Sequence, residues 1–166
     1  MDSTQIANIK RAADELALAL SKEEAARETF MRDPVEAINR FAPILITGFD
    51  AQQIEFLATQ LKKDKYLTGI ADTKLGDKIR CWSCRIGMNA GIVGLGTGVV
   101  AGFIAAGVLT GGFATEIITF LVAFSVDIAV ATGILQGALA FSATGIVGVT
   151  EALVELTCDA IPHTCG

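Results

Sequence analysis

The stretch IGMNAGIVGLGTGVVAGFIAAGVLTGGFAT, residues 86–115, contains no charged side chain. As one helix it would be about 45 Å long, more than the roughly 30 Å of a bilayer's hydrocarbon, so it either spans once or bends, near Gly96 to Gly98. Within it Ala90, Gly94, Gly98, Gly102 and Ala106 recur every four residues. That spacing sets small side chains on one helix face, where another helix can approach closely. Gly133 and Gly137 repeat it further on. The same pattern suits a buried hairpin in a water-soluble bundle.

Working outward, Gly111-Gly112 reads as a turn. Ile117 to Val126 is apolar, Asp127 intervenes, and Ile128 to Thr150 again carries no charge. The expectation is two to four helices, over about 86–109, 114–135 and 137–156. Ile, Val and Thr are common enough to suggest strands, but strict alternation is missing, which favours helix. Helix-interior glycines cost about 0.8–1 kcal/mol each relative to alanine, so these helices depend on neighbours or lipid for order. A carboxylate inside an apolar span costs about 2.5–3.5 kcal/mol, so an inserted Asp127 should line a pore or meet a partner or a proton. If the helix stays in water, Asp127 and Glu116 mark its wet face.

The charge distribution divides the chain. All 13 Lys and Arg fall between Lys10 and Arg85, while the second half carries only Glu116, Asp127, Glu151, Glu155 and Asp159. Of the 17 glycines, only Gly48, Gly69 and Gly76 precede Arg85. One half is built for water and the other for close apolar packing, which places the domain boundary between them. The apolar share of 52% excludes disorder, and the net charge of -5 argues against nucleic acid as a partner. At 166 residues the chain is about one domain, too short for a multidomain enzyme.

The first half reads as short amphipathic helices. Ser3 is a candidate cap for a helix from about Thr4 to Leu20, with Ile6, Ile9, Ala13, Leu16 and Leu20 on one face. Ser21 and Glu24 have the spacing of a capping box that opens the next helix. Asp33-Pro34 suits a third start, because proline at the first helical position gives up an amide that needs no partner. Asp50 caps a fourth helix that ends near Lys62 and Lys63, cations that favour a helix C-terminus. The fold class is therefore all-α: a polar helical leader or cap domain over residues 1–61, a basic linker with a Cys-x-x-Cys motif over 62–85, and an apolar, glycine-rich helical bundle or transmembrane hairpin over 86–166. No secretory signal stands at the start, since Asp14 and Glu15 interrupt any apolar run. Seven cations between Lys62 and Arg85 would attract anionic headgroups if the next segment entered a bilayer; otherwise they belong to a solvated linker.

Cys81 and Cys84 open the apolar half, and Cys158 and Cys165 close it. Cross pairing of the first two with the last two would staple the ends together and implies an oxidising destination. Zinc is the alternative, held by Cys81, Cys84, Cys158, His163 and Cys165, although the second group lacks a common knuckle spacing. A redox Cys-x-x-Cys is third. Trp82 is either an interfacial anchor or part of a core. No nucleophile–base pair, phosphate loop or paired-carboxylate set emerges, so the expectation is a protein that is not an enzyme and needs no cofactor.

The motif Phe30-x-x-Asp33-Pro34-x-x-Ala37-Ile38-x-x-Phe41 resembles the helical leaders that precede modified or exported bacterial peptides, over Lys22 to Leu61. Cys81, Cys84, Cys158, Cys165 and the small-residue repeat are similar to cysteine-bracketed, glycine-rich antimicrobial proteins of the bacteriocin type. The resemblance implies a pore-forming toxin precursor whose leader keeps the apolar part soluble and inactive. A lipid bilayer, further copies of the chain, and a processing protease or exporter would then be its partners, and it would be secreted after processing or membrane-associated. The mature part departs from the type in having few cations for anionic lipid. The alternative is a small integral membrane subunit with a cytosolic N-terminal docking domain.

Overall fold

The computed structural model describes residues 1–67 and 78–161, and these form nine α-helices and no strand. Four helices make up the first half: α1 (Ser3–Lys22), α2 (Glu24–Arg32), α3 (Pro34–Phe41) and α4 (Ala51–Lys63), with a 3-10 turn at Pro43–Ile46. Asp33 accepts hydrogen bonds from the Val35 and Glu36 amides ahead of Pro34, as expected of that start. Asp50 and Gln53 cap α4 reciprocally, and Lys62 and Lys63 end it. Two starts differ from expectation. The cap of α1 is Asp2, which exchanges hydrogen bonds with Gln5. Ser21 lies inside α1 and donates to the Leu18 carbonyl at 2.7 Å, so the Ser21–Glu24 capping box does not form and Glu23 leads α2 without a side-chain bond. The alanine-rich end of α1 carries the helix past Ser21, because nothing there stops it.

The second half comprises α5 (Ile79–Leu95), α6 (Thr97–Ala106), α7 (Gly112–Phe124), α8 (Ile128–Leu139) and α9 (Gly145–Ala160), with a 3-10 turn at Ser142–Thr144. The uncharged stretch bends, as foreseen, at Gly96, whose φ of 101° suits glycine. Gly111 stands at the expected turn with φ 98°. The helix expected over 114–135 is instead two, because Ser125 turns left-handed with φ 119° and Asp127 then caps α8 by accepting from the Val130 amide at 2.8 Å. The helix expected over 137–156 is likewise divided by the 3-10 turn.

The region expected to be a linker proves partly central. Helix α5 begins at Ile79, and every residue from Cys81 to Val93 is buried. Its two sides serve two cores. Trp82, Ile86, Ala90 and Val93 join Leu16, Phe30, Ile38 and Leu57 of the first half. Cys81, Cys84, Met88 and Ile92 join Ile117, Phe120, Leu135 and Leu153 of the second. A helix apolar on all sides needs cover on all sides. The cover comes from α1, α4 and the first 3-10 turn on one side and from α7 and α9 on the other.

The stripe of small residues at four-residue spacing is not one face. The bend at Gly96 sends Ala90 and Gly94 along α5 and Gly98, Gly102 and Ala106 along α6, about 80° away. Ala90 is buried in the first core, whereas Ala106 is exposed. A Cβ on Gly94 would stand 3.2 Å from Met1 Cε, and one on Gly102 2.5 Å from the Phe113 ring. Gly98 and Gly133 have open space around them, while a Cβ on Gly137 would reach Leu156 at 2.9 Å. Outside the stripe, Gly87 and Gly91 seat the rings of Phe124 and Phe120, where a Cβ would stand 3.0 and 2.1 Å from the ring. Gly91→Ala should therefore cost about 1–3 kcal/mol, because Phe120 must move, whereas Gly98→Ala should stabilise slightly by removing a helix-interior glycine. Urea unfolding of the two variants separates these outcomes.

Candidate functional site at the seam between the two halves

The side chains with most chemistry meet where α4 and the turn after it lie against α5 and α9. Asp64 and Arg85 form an ion pair at 2.6 Å with both side chains almost fully buried. Asp64 also accepts from the Tyr66 amide at 2.9 Å and the Leu67 amide at 3.3 Å, so one carboxylate fixes the turn and neutralises the guanidinium. The guanidinium lies over the Tyr66 ring, 4.7 Å from its centroid, a geometry that favours a cation. Asn89 donates to the Arg85 carbonyl one helical turn below, at 2.7 Å. At the rim Lys65 pairs with Glu155 of α9 at 3.1 Å. That hydrogen bond holds the Lys65 ammonium above its ordinary pKa, so its contribution persists through neutral pH and fades only as alkali titrates the raised group.

The seam is not fully satisfied. Among the described residues, both amide atoms of Gln60 and Nη1 of Arg85 at this seam, and the hydroxyls of Thr150 and Thr157 on α9, are buried without a protein hydrogen-bond partner. Each such group costs about 1–3 kcal/mol relative to one bonded to water. Gln60, Lys63, Arg85, Asn89 and Glu151 border a polar cavity of about 140 Å³ there. The two halves thus meet through strong contacts around a polar cavity.

Three more polar contacts cross the same boundary. Lys10 of α1 donates to Ser125 Oγ at 2.6 Å and lies over the Phe124 ring, so the first half holds the turn between α7 and α8. Ser83 donates to Asp14. Gln53 of α4 donates to the Val93 carbonyl at 3.1 Å.

Next along α5 a disulfide joins Cys84 to Cys158, with Cα atoms 5.8 Å apart and a sequence separation of 74. Cys81 is disulfide-bonded as well. Cys165 and His163 lie outside the described residues. For the zinc alternative, Cys84 and Cys158 are joined to each other and so are not available as thiolate ligands, and no cluster of three His, Cys, Asp or Glu able to hold a metal occurs among the described residues. Trp82 is core, buried against the first half. Asp127, considered as a pore-lining group, is here an exposed helix cap on the outer end of α8. The sequence view placed Asp64 and Arg85 in the basic linker and so missed their pairing. The available signal was that Arg85 continues the helical period of the Cys-Trp-Ser-Cys motif into an apolar run.

Among the described residues no single helix is long and apolar enough to cross a membrane. Two bent pairs, α5 with α6 and α8 with the segment through α9, have the length and composition together, with bends of 80° and 58°. Comparison of the chain with protein families, with curated proteins and with solved structures finds no match.

Proposed function

We propose that the chain is the precursor of a membrane-active, pore-forming toxin of the bacteriocin type, in which the first half holds the apolar second half in a water-compatible, inactive form. One observation supports this: among the described residues, Trp82, Ile86, Ala90 and Val93 of α5 pack in one core with Leu16, Phe30, Ile38, Leu45, Leu57 and Leu67, all of the first half or the turn after α4. Separation would bare that side of α5. Burying a large apolar side chain is worth about 1.5–3 kcal/mol, so the exposed face would seek a substitute in lipid. A bilayer is the partner of this form, and a protease or exporter acts before it.

The test is dye release from phosphatidylcholine–phosphatidylglycerol vesicles. The folded, oxidised full chain carries an engineered protease site between residues 67 and 78 and is compared before and after cutting. The cut protein should release dye at about a hundredfold lower dose, the equivalent of roughly 2.7 kcal/mol of newly available burial. Inactivity of both forms at micromolar concentration would remove the proposal.

A second reading, a small integral membrane subunit with the first half as a docking domain, is favoured by the two bent apolar pairs. It requires the native chain to remain with membranes after carbonate extraction. Recovery in the soluble fraction would count against it.

A further inference from the structure

Resting on the toxin reading, we infer that the second half enters a bilayer as two antiparallel spans, made by straightening the bends at Gly96 and at 140–145 while the Cys84–Cys158 bond keeps both outer ends on the side of entry.

The two segments that straightening would make, each within an uncharged stretch, have matching lengths. Ile86 to Ala106 would be about 31 Å as a continuous helix and Ile128 to Thr150 about 34 Å, each close to the roughly 30 Å hydrocarbon thickness. Charged groups stand at the outer end of each run. Arg85 precedes the first and Glu151 follows the second, and the disulfide one residue before Arg85 and a few beyond Glu151 ties these ends together. Lys78 and Arg80 lie on that same side, where cations are retained. At the opposite ends stand Gly107 and Asp127, joined by α7, which at about 20 Å is too short to span. Glu116 and Asp127 are the two carboxylates that must cross, and each opposes insertion. The apolar runs on either side offset them.

The bends are built to open. Gly96 and Gly145 hold φ values of 101° and 76°, a region that L side chains avoid and that a continuous helix does not use. Neither has an atom within 4 Å of where a Cβ would be, so alanine can be placed there without collision. It would strain the bent form and favour the straight one.

In the cut protein, the double variant Gly96→Ala, Gly145→Ala should release dye at least about tenfold faster than the parent, from the loss of left-handed glycine and the gain of alanine in a helix. Depth is read separately with one tryptophan per protein, on a Trp82→Phe background, using lipids brominated at the chain end. Tryptophan at Leu95 or Leu139, the midpoints of the two runs, should be quenched most and tryptophan at Phe120 in α7 least. Release of dye with Phe120→Trp quenched most, or with all three shallow, overturns the two-span arrangement and leaves the toxin reading standing. Release no faster for the double alanine variant, with its circular dichroism unchanged, overturns the straightening. Failure of the cut protein to bind vesicles overturns both readings.

Discussion

Full reduction of the folded chain should lower its unfolding free energy by roughly 3–5 kcal/mol. The Cys84–Cys158 bond closes a loop with a sequence separation of 74, and loss of that constraint frees the unfolded chain by about 4–5 kcal/mol on the entropy model, less whatever strain the native bond carries. Because Cys81 is also bonded, replacing Cys84 and Cys158 alone should cost less: the remaining bridge still restrains the chain. Both Cys84 and Cys158 are buried, so a thiol reductant should act slowly on the native protein and quickly in mild urea. Urea unfolding of oxidised and reduced protein gives the difference. A shift below about 1 kcal/mol would show that α5 and α9 are held by packing alone.

Asp64→Ala should cost about 3–5 kcal/mol, since it strands the buried Arg85 charge, and it also removes the acceptor for the Tyr66 and Leu67 amides. Arg85→Met should cost less than Asp64→Ala, because the carboxylate keeps those two amides. The double variant should lose clearly less than the sum of the singles, as removing both charges leaves neither unpaired. Strict additivity would mean that the two side chains do not stabilise one another. By contrast Lys65→Ala should leave stability almost unchanged, since the Lys65–Glu155 pair is solvent-exposed. The comparison distinguishes a buried latch from a surface one with a single unfolding assay.

The same latch connects stability with the proposed activity. Asp64 and Arg85 join the first half to α5, and both border the polar cavity at the seam together with Gln60. Under the toxin reading, Asp64→Ala in the uncut chain should therefore release some dye where the parent does not. Its loss of control would arise from weakened cover over α5, with the apolar surface itself unchanged.

Local features of the chain were readable before the fold was known. The Asp33-Pro34 start, the Asp50 cap, the bend near Gly96 and the Gly111-Gly112 turn each depend on a residue and its next few neighbours. Their backbone chemistry acts within one turn. The small-residue stripe is divided between two helices for a different reason. Its register assumed a straight helix, and a bend of 80° moves the second part onto another axis. Ser125 was missed because serine rarely takes a positive φ, and here the Lys10 ammonium from α1 holds its hydroxyl.

By itself, then, the sequence determined that this chain is helical, that its cations end at Arg85, and that its apolar half begins and ends with cysteines. Composition and short-range periodicity act along the chain and need no partner. Only the tertiary structure decided that α5 belongs to both cores, that Arg85 is buried against Asp64, and that Gly87 and Gly91, outside the expected stripe, receive the rings of Phe124 and Phe120 while Gly102 within it receives Phe113. Those choices turn on which faces meet across long sequence distances, and a helix apolar on every side gives no local sign of which neighbour it will take.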